Sequence, residues 1–139
     1  MQDGSSILPR STIMNNDLHK TLPTMFPQLE WSELIHSYCP PGWMPILQTA
    51  LSKLSNLSVT NGKVIEIHQV KEKFGGLVIY TNMYSPEIAQ IVNDASSESY
   101  KTCEVCGSPG RLRTTRPGGS RAGWHKTLCD ECAKQQNYE

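Results

Sequence analysis

Apolar positions along the chain fall into a helical period at Trp31, Leu34, Ile35 and Tyr38, spaced i, i+3, i+4 and i+7. That spacing predicts a short helix beginning near Gln28. It stops at Cys39-Pro40-Pro41-Gly42, because a residue before proline is pushed out of the helical region. The stripe resumes at Trp43, Ile46, Leu47, Ala50, Leu51 and Leu54, with Pro45 tolerable in the first turn. Two helices joined by a Pro-Pro-Gly corner are expected.

After the Asn61-Gly62 turn the period changes. Ile65 and Ile67 alternate with Glu66 and His68 within residues 63–70, the pattern of a half-buried strand. Residues 77–81 (LVIYT) are more uniformly apolar and read as a second, deeper strand. The link Lys71-Glu72-Lys73-Phe74-Gly75-Gly76 contains the flexibility of a reversal, so an antiparallel hairpin is expected. Ser85-Pro86-Glu87 then starts a helix as N-cap, first helical residue and first-turn acid. Its buried stripe is Ile88, Ile91, Val92 and Ala95. Residues 1–27 show no sustained period and read as a flexible arm.

Composition narrows the class. The 139 residues suit one domain with a small appendage, and 13 basic side chains balance 13 acidic ones. No run approaches the roughly 20 apolar residues that cross a bilayer, and the start lacks a basic stretch followed by an apolar block. A cytoplasmic protein without membrane contact is the expectation. The neutral total conceals two unlike parts, a net of −3 over residues 1–100 and +3 over residues 101–139. Between Gly107 and Lys126 stand five cations and no acid.

Four of the five cysteines form two CxxC pairs, Cys103 with Cys106 and Cys129 with Cys132, separated by 22 residues. Two thiolates three apart on a turn can face one ion, and two such pairs complete a tetrahedron. One structural Zn2+ is the cofactor expected here, since four thiolates leave no open position for catalysis. With zinc bound, the four thiolates would shift the formal charge of the whole chain from 0 to −2. Disulfides fit poorly with an intracellular chain. Cys39 stands apart and reads as a buried apolar thiol. The segment between the pairs offers a strand, a Gly- and Arg-rich turn and a returning strand, and the last pair opens a helix. The fold class is therefore α+β. N-terminal helices and a β-hairpin occupy residues 28–101, with a linking helix leading into a treble-clef or zinc-ribbon-like module at 102–139.

The combination VKEKFGGL, SYKTCEVCGSPG and GWHKTLCDEC resembles a family of small uncharacterised phage and bacterial proteins, over roughly Leu29 to Cys132. The resemblance implies an α+β domain with a four-cysteine zinc site and carries no catalytic activity with it.

Function follows less directly. A non-enzymatic interaction protein that binds a macromolecule, a host protein before nucleic acid, is the leading expectation, with no small-molecule substrate. Arg111, Arg113, Arg116, Arg121, Trp124 and Lys126 are the candidate contacts to nucleic acid or another partner. Trp124 reads otherwise as an aromatic packed over the zinc module. The Lys71, Lys73, Phe74, Gly75, Gly76 turn is either a solvated tip or a binding loop anchored by Phe74. A treble-clef nuclease of the His-Asn-His kind would need a catalytic histidine with an acidic or histidine neighbour. His125 has none, and residues 107–126 contain no carboxylate.

Overall fold

A computed structural model describes residues 18–32, 37–115 and 124–139. Helix α1 spans Leu18–Met25, and strand β1 is the short Glu30–Trp31. A 3-10 turn, Pro41–Trp43, leads into helix α2, Met44–Asn61. Strands β2, Glu66–Lys73, and β3, Gly76–Thr81, precede helix α3, Pro86–Ser99. Strands β4, Arg111–Thr114, and β5, His125–Leu128, are followed by helix α4, Asp130–Gln136.

The expected flexible arm is corrected from Leu18 onward; residues 1–17 lie outside the described ones. Leu22 and Phe26 are buried in the main core, and the Phe26 N–H donates to the Leu22 carbonyl at 2.9 Å. Burial of these two side chains outweighs the weak local propensity of an eight-residue helix containing Pro23.

The helix expected from Trp31 to Tyr38 is also corrected at both of its ends, while residues 33–36 lie outside the described ones. Glu30 and Trp31 pair in parallel with Glu66 and Ile67. The N–H groups of Glu30, Ser32 and Tyr38 donate to the carbonyls of Ile65, Ile67 and Val70 at 2.9, 3.1 and 2.8 Å. Those carbonyls lie along an open edge of β2, and satisfying them wins over helical spacing in so short a segment.

The sheet has the order β1-β2-β3, with β2 and β3 antiparallel. An irregularity between Ile67 and Gln69 shifts the alternation by one residue at His68. Ile67 and Val70, an odd number apart, are therefore both fully buried. The reversal is tighter than expected, because Lys71–Lys73 and Gly76 join the ladder and only Phe74 and Gly75 turn.

Helices α2 and α3 pack beside one another and α3 packs on β3. Trp43, just before α2, and Leu47, Leu51 and Leu54 from the α2 stripe are buried without exposure. Ser85 caps α3 as its sequence indicates, its hydroxyl accepting from the Ile88 N–H at 3.1 Å.

A second, smaller cluster gathers Cys103, Leu128, Cys132, Ala133 and Tyr138. Two contacts join it to the main core. The Gly42 N–H donates to the Glu104 carbonyl at 2.8 Å, and the Trp43 indole N–H to the Thr102 carbonyl at 2.8 Å. On the other side, the Thr127 hydroxyl donates to the Gly75 carbonyl at 2.7 Å. Any Cβ at position 42 would collide with the Cys103 carbonyl oxygen and with the backbone of Glu104, atoms that cannot swing aside. Gly42→Ala should therefore lower stability by about 1–3 kcal/mol, read as a shift in the denaturation midpoint. An unchanged midpoint would show that this close approach does not hold in solution.

Candidate metal centre

The first cysteine pair sits on the turn after α3. The Cys103 N–H donates to the Ser108 carbonyl at 2.7 Å, and the Gly107 N–H returns to the Cys103 carbonyl at 2.9 Å. That double closure aims both sulfurs the same way. The second pair spans a strand end and a helix start. Cys129 is the N-cap of α4, and its sulfur accepts the Cys132 N–H at 3.4 Å. Asp130 and Glu131 occupy the first turn, where the helix dipole favours carboxylates.

The β4–β5 hairpin holds the two pairs at a fixed separation. Arg111 pairs with Leu128, Leu112 with Thr127, Arg113 with Lys126 and Thr114 with His125. The Glu104 N–H donates to the Thr127 carbonyl at 2.9 Å, which ties the first cysteine turn to β5.

All four sulfurs lie within 4.8 Å of one another, and Cys106 and Cys129 are 3.7 Å apart. Four thiolates about 2.3 Å from one tetrahedral ion stand about 3.8 Å apart, so the spacing suits a shared metal ion. It is far too long for a disulfide, and all five cysteines are free thiols. Hydrogen bonds from Ser108 draw the Cys106 thiol down to about 6. Burial and the neighbouring sulfurs push the Cys132 thiol up. Four thiols this close cannot all ionise without a cation between them, so metal entry must expel protons.

Among the described residues no other group of three or more His, Cys, Asp or Glu side chains could hold a metal. His125 is outside the cluster. Its Cβ and carbonyl carbon face Gly75. Cys39 is buried far from ionisation, its thiol pushed up by burial and directed at the Pro40 carbonyl 3.5 Å away.

The basic hairpin is less available than its composition suggests. Arg113, expected as a partner contact, is instead buried at 7% exposure. Its Nε donates to the Leu128 carbonyl at 2.8 Å and its Nη2 to Asp130 at 2.6 Å. Lys126 donates to Gln136 at 2.8 Å and lies over the Tyr138 ring. A guanidinium bridging strand to helix serves the fold, because a buried charge needs its partners close by. Arg111 is exposed, while Arg116 and Arg121 lie outside the described residues. Trp124 is 57% exposed, against the expectation that it packs over the module.

The Lys71–Gly76 turn has a structural duty that its sequence did not reveal. Besides the Thr127 contact, the Gly75 N–H is capped by Glu72 Oε2 at 2.7 Å, and Gly75 backs onto Leu112. Gly76 lies against the Tyr100 ring. Phe74 itself is 71% exposed. Glu104 was also missed. Burial pushes its carboxyl up to about 7, although Lys126 and the Thr127 N–H favour the charged form, and its Oε1 has no hydrogen-bond partner among the described residues. An acid inside a CxxC loop gives no warning that the loop lies against another part of the chain.

No protein-family model, curated protein or solved structure matches the chain.

Cobalt(II) titrated into the reduced chain should saturate at one equivalent, with a thiolate charge-transfer band and proton release. Cys132→Ser should abolish tight uptake and Cys39→Ser should leave it intact. Equal uptake by both variants would contradict this site.

Proposed function

We propose that the chain is a non-enzymatic interaction protein of phage or prophage type, stapled by one structural Zn2+ and acting in the cytoplasm on a host protein. The closed set of four cysteine sulfurs carries this reading. Four thiolates satisfy zinc completely and leave no place for water or substrate. The order of turn, hairpin and helix around the cysteines supports a treble-clef arrangement, since the second pair opens α4 instead of a second turn. The phage assignment rests on the resemblance carried by KEKFGGL and the two cysteine segments.

The tip at Phe74 is the surface best suited to a partner. Phe74 has φ +52, a conformation that a bulky side chain rarely adopts, and it gains almost no burial in return. Asparagine would fill that position of a two-residue turn with less strain. An exposed aromatic side chain on a braced turn is the form of a binding anchor.

Nucleic-acid binding through the 111–126 hairpin is less well supported, because Arg113 and Lys126 are engaged within the module. For a nuclease the difficulty is His125, which packs toward Gly75 with no carboxylate on its strand.

Affinity capture from host lysate, with zinc content assayed on the same sample, should recover one host protein that Phe74→Ala loses. Equal recovery by both forms would overturn the role given to the tip.

A further inference from the structure

A groove of about 240 Å³ lies between α2 and α3. Ile46, Ile91 and Ala95 form its apolar wall, and Lys53, Asp94 and Glu98 form its rim. A cavity of about 150 Å³ lined by aliphatic side chains accommodates a benzene ring, so this groove has space for a phenyl group and its Cβ.

The chain carries such a phenyl group, exposed on a hydrogen-bonded turn. Phe74 projects from the β2–β3 turn, which is locked from three directions by Glu72, Thr127 and Leu112. Lys73 lies 5.9 Å from its ring centroid, and Lys71 is two residues earlier on the same strand. Among the described residues, Lys71, Lys73, Asp94 and Glu98 enter no ion pair, although Asp94 accepts a hydrogen bond from Gln90. The side chains around the knob carry a net +1 once Glu72 is counted, and those on the groove rim a net −1 once Lys53 is counted. The turn also meets the C-terminal end of α3, the helix that forms one wall of the groove. Tyr100, directly after α3, rests on Gly76, and Glu98 is the groove residue nearest that end of the helix.

We propose that the α2–α3 groove receives Phe74 of a second copy of this chain, with Lys71 and Lys73 of one copy facing Asp94 and Glu98 of the other. Reciprocal insertion about a two-fold axis would close the assembly at two. The contact is small, which places it among weak and transient interfaces. This inference rests on Phe74 being a docking anchor, as in the proposed function. The purified chain tests it alone, whereas the host-protein reading is tested at lysate dilutions where a weak pair is dissociated.

Sedimentation equilibrium of the zinc-loaded full chain, from about 10 μM to about 1 mM, should show a monomer–dimer equilibrium that weakens with salt. Phe74→Asn should weaken dimerisation at least tenfold while raising the unfolding temperature, because asparagine tolerates the positive φ. That opposite movement separates a docking residue from a stabilising one. Lys73→Glu and Glu98→Lys should each weaken association, and together they should restore it. A monomer throughout the range, dimerisation indifferent to Phe74→Asn, or failure of the charge-swapped pair to recover would each overturn the proposal.

Discussion

The close approach of Gly42 to the backbone of Cys103 and Glu104 governs how the rest of the molecule is arranged. Two backbones meet there with no side chain between them, and the neighbouring Trp43 donates its indole proton to Thr102 from within the main core. The cysteine turn thus lies directly against the start of α2, where every ångström of displacement costs a hydrogen bond or a packing contact. A second clamp, Thr127 on Gly75, fixes the far side of the module. Between these two clamps the module has little freedom to rotate. The β2–β3 hairpin is held in turn, so the loop that presents Phe74 is braced by the module carrying the cysteines.

A metal ion in the four-sulfur cluster would therefore stabilise more than its own loop. The module's apolar cluster is small, with Leu128, Ala133 and Tyr138 as its principal non-cysteine members. So few apolar side chains cannot offset the chain entropy lost on ordering the roughly thirty described residues of the module. Metal–thiolate bonding would supply the missing term, and Arg113 adds a fixed link from β4 to Asp130 at the start of α4. The cations that looked like a nucleic-acid face are in part internal braces of this kind.

Local signals in the sequence specified what depended on local chemistry. Ser85 capping α3, the α2 stripe and the alternation of Ile65 with Ile67 need only near neighbours. The cysteine pairs were legible because their spacing is itself the ligand geometry. What failed to show was tertiary. The segment of Leu22 and Phe26 is ordered as α1 and its end because a core exists to receive them, and Glu30–Trp31 becomes a strand because β2 leaves carbonyls open. The duty of Gly75 toward Thr127 and the burial of Glu104 join positions more than twenty residues apart, beyond any periodic pattern. The Phe74 turn ran against local rule, since a bulky residue stands where asparagine fits better.

A zinc ion enclosed by sulfur alone, as proposed, would be the staple of this module. X-ray absorption at the zinc edge of the purified protein tests it most directly. Four sulfur scatterers at about 2.3 Å, with no nitrogen or oxygen at bonding distance, are the expected result. A light-atom ligand, such as water or the His125 imidazole, would contradict it by showing an open or catalytic site. A protein purified without a tightly bound metal ion would contradict it outright.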